Sequence, residues 1–134
     1  MTPPPQKALL LVDHGSRLEE ANQLLKSIAP LVAEEDSGYI VEIAHMELAE
    51  PSIEQGIANC VAAGARDITV HPYMLAPGRH ATQDIPRFVE KAMASHPGVT
   101  YRVTAPLGVH RLLARLVVER ARDAELAHPN PPQD

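Results

Sequence analysis

Four nearly continuous apolar runs divide this chain, covering residues 8–12, 39–44, 68–75 and 99–105. Strands buried on both faces lack an alternation of apolar and polar residues, so such runs are typical of parallel strands. Helical patterns follow each run, and the order strand then helix is repeated four times. This order predicts an α/β fold, with an open, mainly parallel four-stranded sheet and helices on both faces.

The helix boundaries are predicted from capping residues and prolines. Ser16 with Glu19 forms a capping-box pattern, which indicates that the first helix starts at Ser16. Pro51 and Pro86 suit the first turns of the second and third helices. A fourth helix is expected over residues 110–126. Its buried stripe should consist of Leu112, Leu113, Leu116 and Val117.

Length and composition limit the class of protein. A chain of 134 residues is about one domain long, and 45% hydrophobic with 22% charged residues is ordinary for a globular protein. We expect one α/β domain over residues 7–127, with residues 1–6 and 128–134 as flexible, proline-containing extensions. The amino terminus lacks the pattern of a secretory signal and no run is long enough to span a bilayer, which predicts a cytoplasmic protein without a membrane partner.

Charge and cysteine content exclude several kinds of site. The net charge of −5 argues against nucleic acid as a partner, because such proteins usually present a basic face to phosphates. Cys60 is the single cysteine, so no internal disulfide and no thiolate-rich zinc or iron–sulfur site can form. This cysteine content is also typical of a reducing compartment.

Two histidines and a glutamate, His14, Glu47 and His80, lie at equal intervals along the chain, each beyond an apolar run. The interval matches a strand–helix unit of about 30 residues or slightly more. The carboxyl ends of parallel strands meet at one edge of a sheet, where ligands bind. Two imidazoles and a carboxylate gathered there suit a divalent transition metal. His45 could share this site, whereas His71 is expected to pack in the core.

Three segments carry a family resemblance: Asp-His-Gly-Ser-Arg at 13–17, Glu-Leu-Ala-Glu-Pro-Ser-Ile at 47–53, and Gly-Arg-His at 78–80 with Asp-Ile-Pro at 84–86. Together they resemble the sirohydrochlorin chelatases, the class II cobalt and iron chelatases of cobalamin and sirohaem synthesis. The similarity runs from Lys7 to about Arg122. It implies the short, single-domain form, which pairs as a homodimer, whereas longer relatives fuse two such halves.

The resemblance implies a lyase that inserts a divalent metal into sirohydrochlorin or a related tetrapyrrole. His14 and His80 match the metal-handling and proton-accepting histidines of the family, and Glu47 matches their acidic partner. His45 occupies a position that is usually apolar there. The metal is a substrate, with Co²⁺ favoured by family habit and Fe²⁺ or Ni²⁺ left open, and no organic cofactor is implied.

This chemistry explains why imidazoles are needed. Two pyrrole N–H protons must leave the macrocycle, and an imidazole with a pKa near 6.5 can both coordinate an ion and accept a proton. The substrate carries many carboxylates although the chain is acidic. Ser16, Arg17 and Arg79 are therefore expected to contact the tetrapyrrole, helped by helix amino termini at the same edge. Ser16 also suits helix capping.

Two other functions fit parts of the pattern. A metal or tetrapyrrole carrier would use the same ligands without catalysing insertion. A histidine phosphatase also has a strand followed by His-Gly, but Asp13 stands where that family has an arginine, which argues against it. Metallation of sirohydrochlorin over many turnovers distinguishes an enzyme from a carrier.

Overall fold

Strands and helices alternate throughout the computed structural model, which describes residues 6–76 and 78–129 apart from the side chains of residues 79, 80 and 82. Within this part of the chain the strands are β1 (Lys7–Asp13), β2 (Tyr39–His45), β3 (Asp67–Pro72) and β4 (Thr100–Val103). The helices are α1 (Glu19–Glu35), α2 (Ile53–Ala62), α3 (Arg79–Met93) and α4 (Arg111–Ala127).

The strands form one sheet in the order β2-β1-β3-β4, and every neighbouring pair is parallel. The predicted α/β class and parallel sheet are therefore confirmed. The register places Asp13, the last residue of β1, opposite His45, the last residue of β2. Both strands thus end at the same level, which brings the loops that follow them together.

The core lies mainly on one face of the sheet, beneath α2 and α3. Alternate residues of β1 point to this face and the others to the opposite face. On the opposite face α1 packs against β2 and β1, with Leu25 fully buried. Burial of each large aliphatic side chain contributes roughly 1.5–3 kcal/mol. The main cluster includes Ala8, Leu10, Val12, Ala44, Ile53, Ile57, Cys60, Ile68, Val70, Ile85 and Val89.

The predicted start of α1 is wrong. This helix begins at Glu19, after Leu18, and has no side-chain cap. Ser16 lies outside the helix because its hydroxyl accepts a hydrogen bond from the Leu18 amide at 3.0 Å. A capping box does occur at α2, where Ser52 and Gln55 exchange hydrogen bonds, so Pro51 precedes that helix.

The predicted start of α3 is also wrong. The helix begins at Arg79, and Pro86 lies inside it. Proline removes one backbone hydrogen bond from a helix interior. Ala81 and Ile85 are nearly fully buried, so packing of the preceding turns on the core compensates for that loss.

Helix α4 differs most from expectation, because none of its residues is buried. Leu112 and Val117, predicted to face the core, are 63% and 67% exposed. His110 caps the helix by accepting a hydrogen bond from the Leu112 amide at 3.0 Å. On the face of the sheet that packs against α1, the half formed by β3 and β4 is polar and only partly covered. It carries Thr69, His71, Arg102 and Thr104.

The predicted terminal extensions fall largely outside the described residues, which begin at residue 6 and end at residue 129. The division into a domain over residues 7–127 with flexible ends stays a prediction. Among the helices described, none combines the length and apolar character needed to cross a membrane. The cytoplasmic location stays a prediction as well.

Candidate metal-handling site at the carboxyl edge of the sheet

The loops after β1 and β2 are joined by backbone hydrogen bonds. The Met46 amide donates to the Asp13 carbonyl at 2.8 Å, and the Glu47 amide donates to the His14 carbonyl at 3.1 Å. The side chains of His14 and Glu47 are both exposed at this edge. The structure therefore brings together two of the three residues predicted to handle the metal.

Gly15 makes this close approach possible. Its φ of +86° lies in the left-handed region, which favours glycine. A Cβ atom at this position would lie 1.8 Å from the Glu47 carbonyl oxygen. No other residue can occupy this position without moving one loop away from the other.

Asp13 and His45 lie beneath the same loops. The Asp13 Oδ1 atom is 2.6 Å from His45 Nδ1 and accepts a hydrogen bond from the Gly15 amide at 3.1 Å. His45 is fully buried, at 0% exposure. It therefore lies below the exposed edge and does not extend beside His14 and Glu47 as an additional surface ligand.

Asn22 of α1 holds the loop from its other side. Its Oδ1 atom accepts from the Ser16 amide at 2.9 Å, and its Nδ2 atom donates to the Ser16 carbonyl at 2.7 Å. Asn22 is only 5% exposed, so this pair of bonds is shielded from water. Ser16 is thus a structural part of the loop, and Arg17 next to it is exposed. Tetrapyrrole contact by either residue stays a prediction.

Tyr73 completes the edge from the side of β3. Its amide donates to the Val12 carbonyl at 2.6 Å, which places the segment after β3 beside the end of β1. A shallow cavity of about 220 Å³ opens here. It is lined by Asp13, His14, Gly15, Ser16, Ala21, Asn22 and Tyr73.

Sequence reasoning missed Asn22 and Tyr73. Asn22 had a usable signal, because an amide on the inner side of an amphipathic helix, near Leu25, needs a polar partner. Tyr73 had none, since a tyrosine at the end of an apolar run usually packs against its neighbours. Its position depends on which strand β3 adjoins, and this could not be read from spacing.

Arg79 and His80 are the first two residues of α3, whose amino terminus follows the segment leaving β3. Their side chains lie outside the described part of the structure, so their predicted roles stay predictions. Among the side chains that are described, no group of three His, Cys, Asp or Glu residues is arranged to hold a metal ion. The predicted set of His14, Glu47 and His80 includes a side chain beyond that description.

The remaining candidate donors are accounted for elsewhere. The Nδ1 atom of His71 lies 2.8 Å from the Thr104 hydroxyl, and partial burial lowers the pKa of His71. Burial, reinforced by the negative charge of Glu42, raises the pKa of the Cys60 thiol to about 12. The thiol is therefore protonated at neutral pH and unsuited to metal binding.

The sequence matches one known protein family over most of its length. The CbiX family model matches residues 8–124. The chain belongs to the CbiX family.

Individual relatives agree with this assignment. The sirohydrochlorin ferrochelatase of Arabidopsis thaliana chloroplasts is 45% identical over 112 residues, which are 84% of this chain and 50% of that protein. The sirohydrochlorin chelatase SirB of Bacillus subtilis subspecies spizizenii, solved in complex with cobalt, is 33% identical, with a TM-score of 0.79. That match covers 88% of this chain and 50% of SirB.

The relatives fall into two length classes. This CbiX-family chain spans about half the length of the Arabidopsis and Bacillus proteins. By contrast, it matches a sirohydrochlorin cobaltochelatase of Methanosarcina acetivorans over 95% of that protein, at 32% identity. Relatives named for iron and for cobalt thus occur together, and the family match alone selects neither metal.

Proposed function

We propose that this chain is a chelatase that inserts a divalent metal ion into sirohydrochlorin or a closely related tetrapyrrole. The observation that carries the proposal is the backbone pairing of the loops bearing His14 and Glu47, held together through Gly15 at the carboxyl edge of the sheet. The names of the CbiX-family relatives support the reaction class.

In this reaction two pyrrole N–H bonds break and two protons leave, while four metal–nitrogen bonds replace the bonds of the ion to water and to the protein. His14 and His80 share the tasks of holding the ion and accepting protons, because a neutral imidazole can do either near neutral pH. Glu47 completes the ligand set or passes protons to water. A mixed nitrogen and oxygen ligand set with open positions keeps the ion transferable, which a closed thiolate site would not.

The small cavity beside His14 supports an open binding mode for the macrocycle. Ligand pockets usually measure about 300–1,000 Å³, whereas the cavity beside His14 measures about 220 Å³. The tetrapyrrole therefore lies across the open edge with the metal beneath it. Ser16, Arg17 and Arg79 contact its carboxylates from the rim, where the amino terminus of α3 adds partial positive charge.

Co²⁺ is our first choice of metal, with Fe²⁺ and Ni²⁺ as the alternatives. All three accept imidazole and carboxylate ligands, so selectivity depends on geometry and supply. Rates measured with each ion at equal free concentration test this choice. A faster reaction with Fe²⁺ or Ni²⁺ than with Co²⁺ would reject it.

The activity itself is tested by metallation of sirohydrochlorin over many turnovers, followed by absorbance. We expect a rate well above the spontaneous one, and a decrease of about 10²- to 10⁴-fold in His14→Ala and His80→Ala. His96→Ala is the control, because His96 follows the opposite end of α3. Full activity in both site variants would overturn the assignment of these histidines.

The same experiment addresses the carrier alternative. A protein that binds one equivalent of metal or tetrapyrrole without raising the rate would be a carrier. This outcome would reject catalysis but retain the binding site.

We also propose that the chain acts as a homodimer in which α4 packs on a second copy. Helix α4 exposes Leu112, Leu116 and Val117, and the sheet leaves a partly covered face beside α1. The longer relatives are about twice the length of this chain. Two copies of this chain together have about the length that those relatives have in one chain.

A further inference from the structure

His45 is held rigidly at the end of β2. It is fully buried, and its backbone amide donates to the Pro51 carbonyl at 2.8 Å. Its Nδ1 atom lies 2.6 Å from Asp13 Oδ1, across the register that aligns the last residues of β1 and β2. The same oxygen accepts a hydrogen bond from the Gly15 amide, so it acts as an acceptor and Nδ1 is the nitrogen that donates to it.

The other ring nitrogen of His45 lowers the stability of the folded state. His45 Nε2 is buried and has no hydrogen-bond partner among the described residues. A buried polar atom without a partner loses its hydration and gains nothing in return. An apolar side chain of similar size would avoid that cost but would remove the hydrogen bond to Asp13, so this bond is what a histidine supplies here.

The contacts of Asp13 connect His45 with the exposed edge. The oxygen that accepts from His45 also accepts from the Gly15 amide, directly beside His14. The Asp13 carbonyl accepts from Met46, next to Glu47. Asp13 therefore contacts both loops, and His45 determines the orientation of its carboxylate.

We propose that Asp13 and His45 form a positioning pair that sets the direction of the His14 side chain relative to Glu47. The inference rests on the proposed function, because it assigns His14 and Glu47 to the metal. His45 touches neither metal nor tetrapyrrole and acts only through Asp13 and the Gly15 amide. Residues that orient metal ligands from behind typically alter metal affinity by about 10- to 100-fold when mutated.

The test uses Co²⁺ alone as the probe, titrated into the whole protein and followed by its visible absorption spectrum. His45→Leu removes the donor and the unpaired nitrogen while filling the space. We expect about 10- to 100-fold weaker Co²⁺ binding and an altered spectrum. In the metallation assay, KM for Co²⁺ should rise by a larger factor than kcat falls.

Two amides supply a conservative comparison. The Asn side-chain nitrogen falls near the position of Nδ1, whereas the Gln nitrogen falls near that of Nε2. His45→Asn should therefore retain most of the Co²⁺ affinity and His45→Gln should lose it. This pair also decides the matter if His45→Leu does not fold.

Ile43→Ala is the matched control, because Ile43 lies two residues earlier on the same face of β2. It should lower the melting temperature and leave the Co²⁺ spectrum unchanged. Wild-type affinity and spectrum in both His45→Leu and His45→Gln would overturn the positioning role alone, as would an equal spectral change in Ile43→Ala. A wild-type protein that gives no Co²⁺ spectrum would overturn the metal site and the positioning pair together.

Discussion

Gly15 shows how one residue can determine the geometry of a site. It combines a left-handed backbone conformation with a close approach to the Glu47 carbonyl. Gly64, Gly98 and Gly108 share only the left-handed conformation. Gly98, for example, has a φ of +92°, but no atom of the described residues lies within 4 Å of the Cβ that a substitution would add.

This contrast predicts that Gly15→Ala is more harmful than Gly98→Ala. A left-handed non-glycine residue costs about 1–3 kcal/mol in either place, but only at position 15 must the added methyl group displace a neighbouring loop. We expect a larger loss of unfolding free energy and a large loss of metallation for Gly15→Ala. Denaturant unfolding and the absorbance assay measure both. Equal losses in the two variants would contradict the close contact.

His71 should make stability depend on pH. Burial lowers its pKa in the folded state, so the unfolded chain binds this proton first as the pH falls below about 6.5. The contribution of His71 to the free energy of unfolding is therefore complete at higher pH. It decreases as the pH falls, until the pH is below the folded-state pKa.

His71→Asn should make the pH profile flatter on the acidic side, because asparagine can still bond to Thr104 but does not titrate. Denaturant unfolding of both proteins at several values between pH 5 and 8 measures the difference. A wild-type minus variant difference that is constant across this range would contradict the prediction.

Strands were predicted better than helices, for a physical reason. A continuous apolar run such as residues 8–12 has few alternatives once it is buried in a sheet. The first residue of a helix depends on which of several competing local hydrogen bonds forms. Ser16 bonds to Leu18 and Asn22 instead of capping α1. Helix α4 was predicted close to its observed bounds but its burial was predicted wrongly, because an apolar stripe shows that a helix needs a partner but does not identify it.

Gly56, within α2, is explained by the packing of that helix against the sheet. Glycine is unfavourable in a helix interior, and alanine is preferred by about 1 kcal/mol. At Gly56, however, an added Cβ would lie 2.8 Å from the Ala44 Cβ and 2.9 Å from Leu10 Cδ1. The small residue lets α2 lie close against β1 and β2.

Gly56→Ala should therefore lower the melting temperature despite the gain in helix propensity. Overpacking typically costs about 1–3 kcal/mol, which exceeds that gain over most of the range. Calorimetry of the variant beside wild type measures the balance. A higher melting temperature would show that α2 can move outward without penalty.

At the scale of the whole molecule, the sequence predicted that the loops after β1 and β2 share one edge, but it did not predict the contacts beneath them. His14 and Glu47 were placed at one edge by spacing alone, because parallel strands deliver their carboxyl ends together. The contact between Asp13 and His45 was not predicted. It depends on β1 and β2 being neighbours in register, which a single sequence does not show.

The proposed dimer makes a prediction about size. Val117→Glu places a charge on the exposed apolar face of α4, so it should convert a particle of twice 14.5 kDa into one of 14.5 kDa. Light scattering after size-exclusion chromatography measures this mass. Leu24→Glu, a comparable change at an exposed leucine of α1, is the control. A monomeric wild-type protein, or an unaffected Val117→Glu dimer, would contradict the assembly.

The backbone bonds between the β1 and β2 loops also limit how such a protein can be re-engineered. Neither loop can be lengthened, shortened or exchanged separately, since its hydrogen-bond partners belong to the other. Attempts to redirect ion preference by grafting should therefore transfer the two segments as a single cassette. Single-loop grafts are expected to yield misfolded or inactive chimeras.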